Sequence, residues 1–234
     1  MDDVLEALSQ VHQPPFQLVS AVAELVFAIS MSPGERSTDE DPPDWRKRDE
    51  GWTIDGLLGV YVADKREITI FAKGIKHAAA QLGTTPSGLE YVVRLHEWGH
   101  AIFHLGVDRV KSAELAKASL TNDASAEQVT GQRLTDTYGS VDPYVHEQIA
   151  QALAWLALEE LRSKATIDKA KTACARLSDT FEMLMRRRPP QYRLDSLRHL
   201  ERDQLRRRVC GVIRLIRDAG VRADRETWDT IMPW

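Results

Sequence analysis

The chain has 234 residues, 43% of them hydrophobic and 28% charged, with a formal net charge of −4. That length can bury a core as one domain, or as a domain with a helical extension, and the mild acidity gives no global reason to expect nucleic acid. Two distant cysteines, Cys174 and Cys210, form no CxxC pair and point to reduced core thiols of a cytoplasmic protein rather than a disulfide framework.

Residues 1–31 read as an N-terminal helical segment. Its first residues, Met1 to Glu6, are acidic, which argues against a secretory signal. The apolar run 16–31 is shorter than a bilayer span and is interrupted by Gln17, Ser20 and Glu24. Those three fall on one stripe, so a buried helix with one wet edge is expected and no membrane role. Residues 32–51 are rich in proline and charge and poor in aliphatics, which predicts a flexible, solvated acidic loop. Two β-branched and aromatic runs follow, 58–63 and 67–72, around Asp64-Lys65-Arg66; they predict a hairpin. A helix over about 74–82 comes next.

Thr85 is a good N-cap, Pro86 a good first helical residue and Gly106 a good stop, so a helix is expected over 86–105, roughly 30 Å long. It carries His96-Glu97-Trp98-Gly99-His100. Imidazoles four residues apart project from one face and can hold one Zn²⁺, leaving room for a third ligand and a water. Glu97, beside the first imidazole, is placed to act as general base on that water. Gly99 removes a side chain next to the expected metal. The plainer alternative is a core helix with two histidines and a salt-bridged glutamate, but buried His and Glu without partners are costly.

Residues 107–141 must cross to a second metal-bearing helix. The stretch 112–120 reads as a short helix and 121–132 as a polar segment that could border a cleft as a lid. Asp142-Pro143 is another cap and first-position pair, opening a helix that is almost wholly apolar from Ile149 to Leu158. Glu147, near its start, is the candidate third ligand, because a carboxylate entering a buried helix needs a compensating charge. The competing reading is a surface glutamate stabilised by the helix dipole. Ala150 and Ala154 are small enough to let the two helices approach. Asp136, Asp142, Glu159 and Glu160 compete less well, and His146 points about 100° away from Glu147. Tyr138 and Tyr144 are candidate donors to an oxyanion, or else packed, hydrogen-bonded tyrosines.

This order of elements resembles the zincin metallopeptidases. HExxH followed by Glu147 with Ala150 three residues on looks like the gluzincin pattern. His96, Glu97, Gly99, His100 and His104 are similar to the HExGHxxxH helix of ImmA/IrrE-type bacterial metallopeptidases. The chain departs from the metzincin subgroup, having Phe103 and Gly106 where that motif needs Gly and His. It also has a long spacing from His100 to Glu147 for the ImmA/IrrE type, and no recognisable helix-turn-helix module. The resemblance implies an α+β, mostly helical fold, with a minimal zincin-like core over 52–163 and a small β-sheet or hairpin against the HExxH helix. An edge of that sheet, expected at the second strand of the hairpin, would pair with a protein or peptide substrate. His104 would be a second-shell or structural histidine.

Residues 164–234 read as a basic helical C-terminal extension packing on the core. A helix over 167–185 is broken by Arg188-Pro189-Pro190, and another is expected over 194–216. Between Arg186 and Arg217 eleven arginines face three acids, Asp195, Glu201 and Asp203. Such a face could dock an acidic protein partner or nucleic acid, or pack on the acidic N-terminal half. Tyr192 is its only aromatic residue able to stack on a base. The sequence thus points to a cytoplasmic zinc metalloendopeptidase. The alternative is a non-catalytic metal-binding regulatory protein, or a nucleic-acid-associated protein using the Arg-rich helices.

Overall fold

Pro14 and Pro15 open helix α1 (Pro15–Ala23), which buries Leu18, Val19 and Val22. The computed structural model describes residues 14–28, 31–40, 58–121, 124–188, 193–194, 200–218, 220–221 and 223–232. The expected helix over 16–31 stops early. Glu24 takes a left-handed conformation (φ 58°) with its N–H on the Ser20 carbonyl, and Val26 then forms an antiparallel bridge with Val107, exchanging two 2.8 Å backbone hydrogen bonds. Apolar residues are buried as well by an extended chain as by a helix, so composition alone did not fix where α1 ends.

Three strands follow: β1 (Gly34–Thr38), β2 (Gly59–Val62) and β3 (Glu67–Phe71), in the order β1-β3-β2. The hairpin β2–β3 is antiparallel and turns through a short 3₁₀ segment, Ala63–Lys65. Two expectations are corrected here. Part of the stretch read as a solvated loop is a strand, β1, paired in parallel with β3 from Gly34↔Glu67 to Thr38↔Phe71. An outlying strand needs backbone bonds more than apolar side chains, and β1 is exposed almost throughout. The second hairpin strand is therefore central rather than an edge, which is why Ile68 and Ile70 are fully buried. Among the described residues the edges are β1 and β2. Residues 1–13 and 41–57, which complete the expected N-terminal segment and loop, lie outside the described residues.

Helix α2 (Ala72–Leu82) closes on left-handed Gly83 (φ 67°). Helix α3 (Pro86–Leu105) runs over the span expected, with the Thr85 hydroxyl accepting from the Gly88 N–H. Gly106 ends it without a left-handed turn (φ −62°). Glycine is needed there for space, since a Cβ would lie 2.5 Å from the Ile102 carbonyl oxygen.

Helix α4 (Arg109–Leu120) is followed by α5 (Ala124–Gly139). The second was not expected: the stretch read only as a polar segment is helical from Ala124 onward. Its buried stripe is Thr130, Gly131 and Leu134, too poor in aliphatics to show as a hydrophobic period. Asp142 caps α6 (Pro143–Lys164), accepting from the Tyr144 N–H at 2.8 Å. Beyond it lie α7 (Asp168–Arg187), α8 (Arg202–Asp218) and α9 (Arg225–Ile231). Residues 195–199 of the expected last long helix, and Tyr192, fall outside the described residues.

The result is a mostly helical α+β fold with a small three-stranded sheet. Its hub is α3, packed most extensively on α6 and also against α1, α2, α5, α7, β2 and β3. A helix covered on every side must bury whatever polar groups it carries. That places His96, Glu97 and His100 inside the molecule, each under 9% exposed.

Part of the basic C-terminal charge is engaged internally, while Arg186, Arg187, Arg207 and Arg208 stay exposed. Arg206 and Arg214 both pair with Glu24 at 2.7 Å, Arg202 pairs with Glu160, and Arg217 is buried. No helix among the described residues is long and apolar enough to cross a membrane.

Candidate metal centre

Gly99 brings the two halves of the site together. A Cβ on it would lie 2.8 Å from the carbonyl oxygen and 2.9 Å from the Cα of Ala150 on α6. The missing side chain thus faces a neighbouring helix, not the space beside the imidazoles as expected from the motif. It lets two backbones touch where any larger residue would hold them apart. One turn before Ala150, Glu147 is thereby set against the motif face of α3.

His96 and His100 present their Nε2 atoms 3.1 Å apart, with the rings nearly perpendicular at 89°. Glu147 closes the triangle, with Oε2 3.4 Å from His96 Nε2 and Oε1 3.4 Å from His100 Nε2. One ligand atom from each residue lies within 4.8 Å of the others. Two zinc bonds of about 2.0–2.1 Å at a tetrahedral angle separate their donor atoms by about 3.4 Å. The set therefore fits a single small divalent cation, and its two nitrogens and one carboxylate oxygen suit zinc. Asp136, Asp142, Glu159 and Glu160 are not in the cluster; Glu159 and Glu160 pair instead with Arg162 and Lys164.

The electrostatics keep His96 and Glu147 in ligating form and draw a proton toward His100, which a cation would have to displace. Burial holds His96 down to about 4, so it is neutral. Burial also pulls His100 down, but the adjoining Glu147 carboxylate outweighs it and raises it. Burial pushes Glu147 up, yet the Arg188 guanidinium and the two imidazoles hold it well below the ordinary carboxylate range.

Glu97 stands one residue along α3, so its side chain leaves the helix toward β2. Its Oε1 lies 2.9 Å from where a Cβ on Gly59 would be, and Val93 Cγ1 lies 2.7 Å from the same point. Gly59 thus makes room for the carboxylate. Leu58, Gly59, His96, Glu97 and Arg188 line one small cleft, whose far wall is Phe181, Leu184 and Met185 of α7.

Behind the imidazoles is an aromatic and hydroxyl layer. The Tyr138 hydroxyl lies 3.4 Å from His100 Nδ1, on the ring edge remote from Nε2. When Nε2 is a ligand, Nδ1 carries the proton and donates to that oxygen, which fixes the ring. Tyr138 also stacks on His104 at 4.6 Å and meets His146 edge-on at 4.0 Å. His104 is fully enclosed between the Tyr61 hydroxyl, 2.8 Å from Nδ1, and Thr135 Oγ1, 3.1 Å from Nε2. Burial holds it at about 4, hence neutral. Tyr144 is placed elsewhere, with the Arg225 guanidinium 5.0 Å above its ring beside α9.

Two residues at the site were not anticipated. Gly59 had a faint signal, a glycine inside a β-branched run. Arg188 read only as a helix-breaking Arg-Pro-Pro, yet its side chain is 7% exposed and NH1 donates to Glu147 Oε2 at 2.6 Å.

Set against protein-family models, curated proteins and solved structures, the chain matches none.

Proposed function

We propose that this chain is a zinc-dependent metallopeptidase, acting in the cytoplasm on a protein or peptide substrate. The observation that carries the reading is the convergence of His96 Nε2, His100 Nε2 and the Glu147 carboxylate at the spacing of one cation's ligands. A divalent ion held there supplies Lewis acidity toward a water and a scissile carbonyl. Glu97, on the cleft side of His96, takes the proton of the attacking water and passes it to the leaving nitrogen. Tyr138 orients His100 from behind rather than reaching an oxyanion, and Tyr144 takes no part. Among the described residues the edge strand beside the cleft is β2, whose outer side would pair with an extended substrate main chain and lead it past Gly59 to Glu97.

A second reading is favoured by one contact. Because Arg188 already offsets the Glu147 charge, the cluster could be a buried polar network whose imidazoles share a proton and hold no metal. Elemental analysis separates the two. The peptidase reading expects about one zinc per chain in both the wild type and Glu97→Gln. It also expects hydrolysis of an unfolded protein substrate to fall by roughly 10²–10⁴-fold in the variant. Zinc-free protein, or unchanged turnover in Glu97→Gln, overturns it. A nucleic-acid or acidic-partner role for the C-terminal helices is weakened by the internal pairing of Arg202, Arg206 and Arg214.

A further inference from the structure

Glu147 faces two demands. It sits among neutral or weakly basic imidazoles inside the fold, and it must stay ionised there both with and without a cation. Its side chain keeps 31% exposure, while the arginine that holds it keeps 7%. Arg188 is therefore the more deeply buried partner, and a buried guanidinium cannot shed its charge. It is also fixed by its own backbone. Its N–H caps α7 on the Met185 carbonyl, its carbonyl accepts from Arg193 Nε at 2.9 Å, and the Arg193 carbonyl accepts from Gln148 on α6 at 3.5 Å. The guanidinium is thus delivered to Glu147 from a backbone position tied to the end of α7 and, through Arg193, to α6.

From this arrangement we infer that Arg188 is a built-in counter-cation of the metal centre: a positioning residue that keeps Glu147 and the two imidazoles assembled without metal, and that opposes metal binding. The inference rests on the metal reading above. Its sign follows from two effects that act together. Arg188 draws on Glu147 Oε2, the oxygen nearer His96, so it reduces the electron density that the carboxylate offers a cation. It also places a fixed positive charge close to a second, mobile one, and like charges at such range repel strongly where water is scarce. Holding the site together without metal thus comes at the expense of affinity. A residue that merely packed α7 against α6 would stabilise the metal-free and metal-loaded forms equally. A residue that only aimed the carboxylate would strengthen metal binding.

Zinc affinity is measured by competition with a chromophoric chelator, and unfolding of the metal-free protein by urea, for the full chain carrying Arg188→Met, Arg188→Gln or Arg188→Lys. The methionine keeps the apolar stem, the glutamine keeps a hydrogen-bond donor without charge, and the lysine keeps the charge. Expected are a lower urea midpoint for metal-free Arg188→Met and Arg188→Gln, and zinc binding on the order of tenfold tighter or more. Arg188→Lys stays nearest the wild type. Should metal-free Arg188→Met fail to fold, Arg188→Gln supplies the comparison. Unchanged or weaker zinc affinity in both neutral variants, with the wild type binding zinc, overturns this inference alone. A wild type that takes up no zinc removes the metal reading and this inference together.

Discussion

Gly59 shows how one absent side chain can set the chemistry of another residue. With Glu97 Oε1 2.9 Å and Val93 Cγ1 2.7 Å from its would-be Cβ, Gly59→Ala must push the Glu97 carboxylate out of the cleft, since Val93 is buried in the core. His96, His100 and Glu147 lie beyond that contact. On the proposed peptidase reading, the variant is expected to take up zinc as the wild type does while kcat/KM falls by roughly 10²-fold, the cost of an ångström-scale misplacement. Metal content and peptide hydrolysis measured on one preparation check this; equal activity would show that Glu97 has slack. The same scale separates what could be read from sequence. His96, Glu97 and His100 follow from local spacing on one helix, and Glu147 from a cap followed by small residues. Gly59 and Arg188 matter only through contacts made 38 and 41 residues away along the chain, to Glu97 and Glu147, and no local pattern reports these. Tyr138 and Tyr144 looked equivalent because both flank Glu147, yet one stands behind His100 and the other beneath Arg225.

At the scale of elements the decisive contact is α3 on α6. Gly99→Ala drives a methyl group into the backbone of Ala150, and backbone on a buried helix cannot rotate away as a side chain can. The helices must separate, at a cost of about 1–3 kcal/mol. The urea midpoint reports that loss, and a matching fall in zinc affinity reports the displacement of Glu147. A variant as stable as the wild type would mean that α6 shifts freely. Helices with an Asp or Thr cap and a following proline, α3 and α6, were readable to their first residue, because those signals are chemical and local. Strand β1 and helix α5 were not. The first is held by parallel backbone pairing with β3, and by Glu35 reaching Trp98 Nε1 at 2.9 Å and Arg94. The second buries threonine and glycine where a helix stripe ordinarily shows aliphatics. In both, tertiary partners supply what the segment's own composition lacks.

For the molecule as a whole, a cation held as proposed between α3 and α6 would join the two most heavily packed helices. Folding and metal binding are then linked. Free zinc at about 100 times its Kd adds about 2.7 kcal/mol to stability, which raises Tm by roughly 5–10 °C for a chain of this size. Calorimetry with zinc and with a chelator should show that difference in the wild type and lose it in Glu147→Ala; equal Tm values in the wild type would mean the cluster holds nothing. The cleft itself draws on β2, α3 and the end of α7, from Gly59 to Arg188. During synthesis, more than half of the chain leaves the ribosome before the last of those pieces exists. Under the peptidase reading proposed above, a half-made copy of the protein therefore has no complete cleft, and what emerges beside it on the ribosome meets an unassembled site.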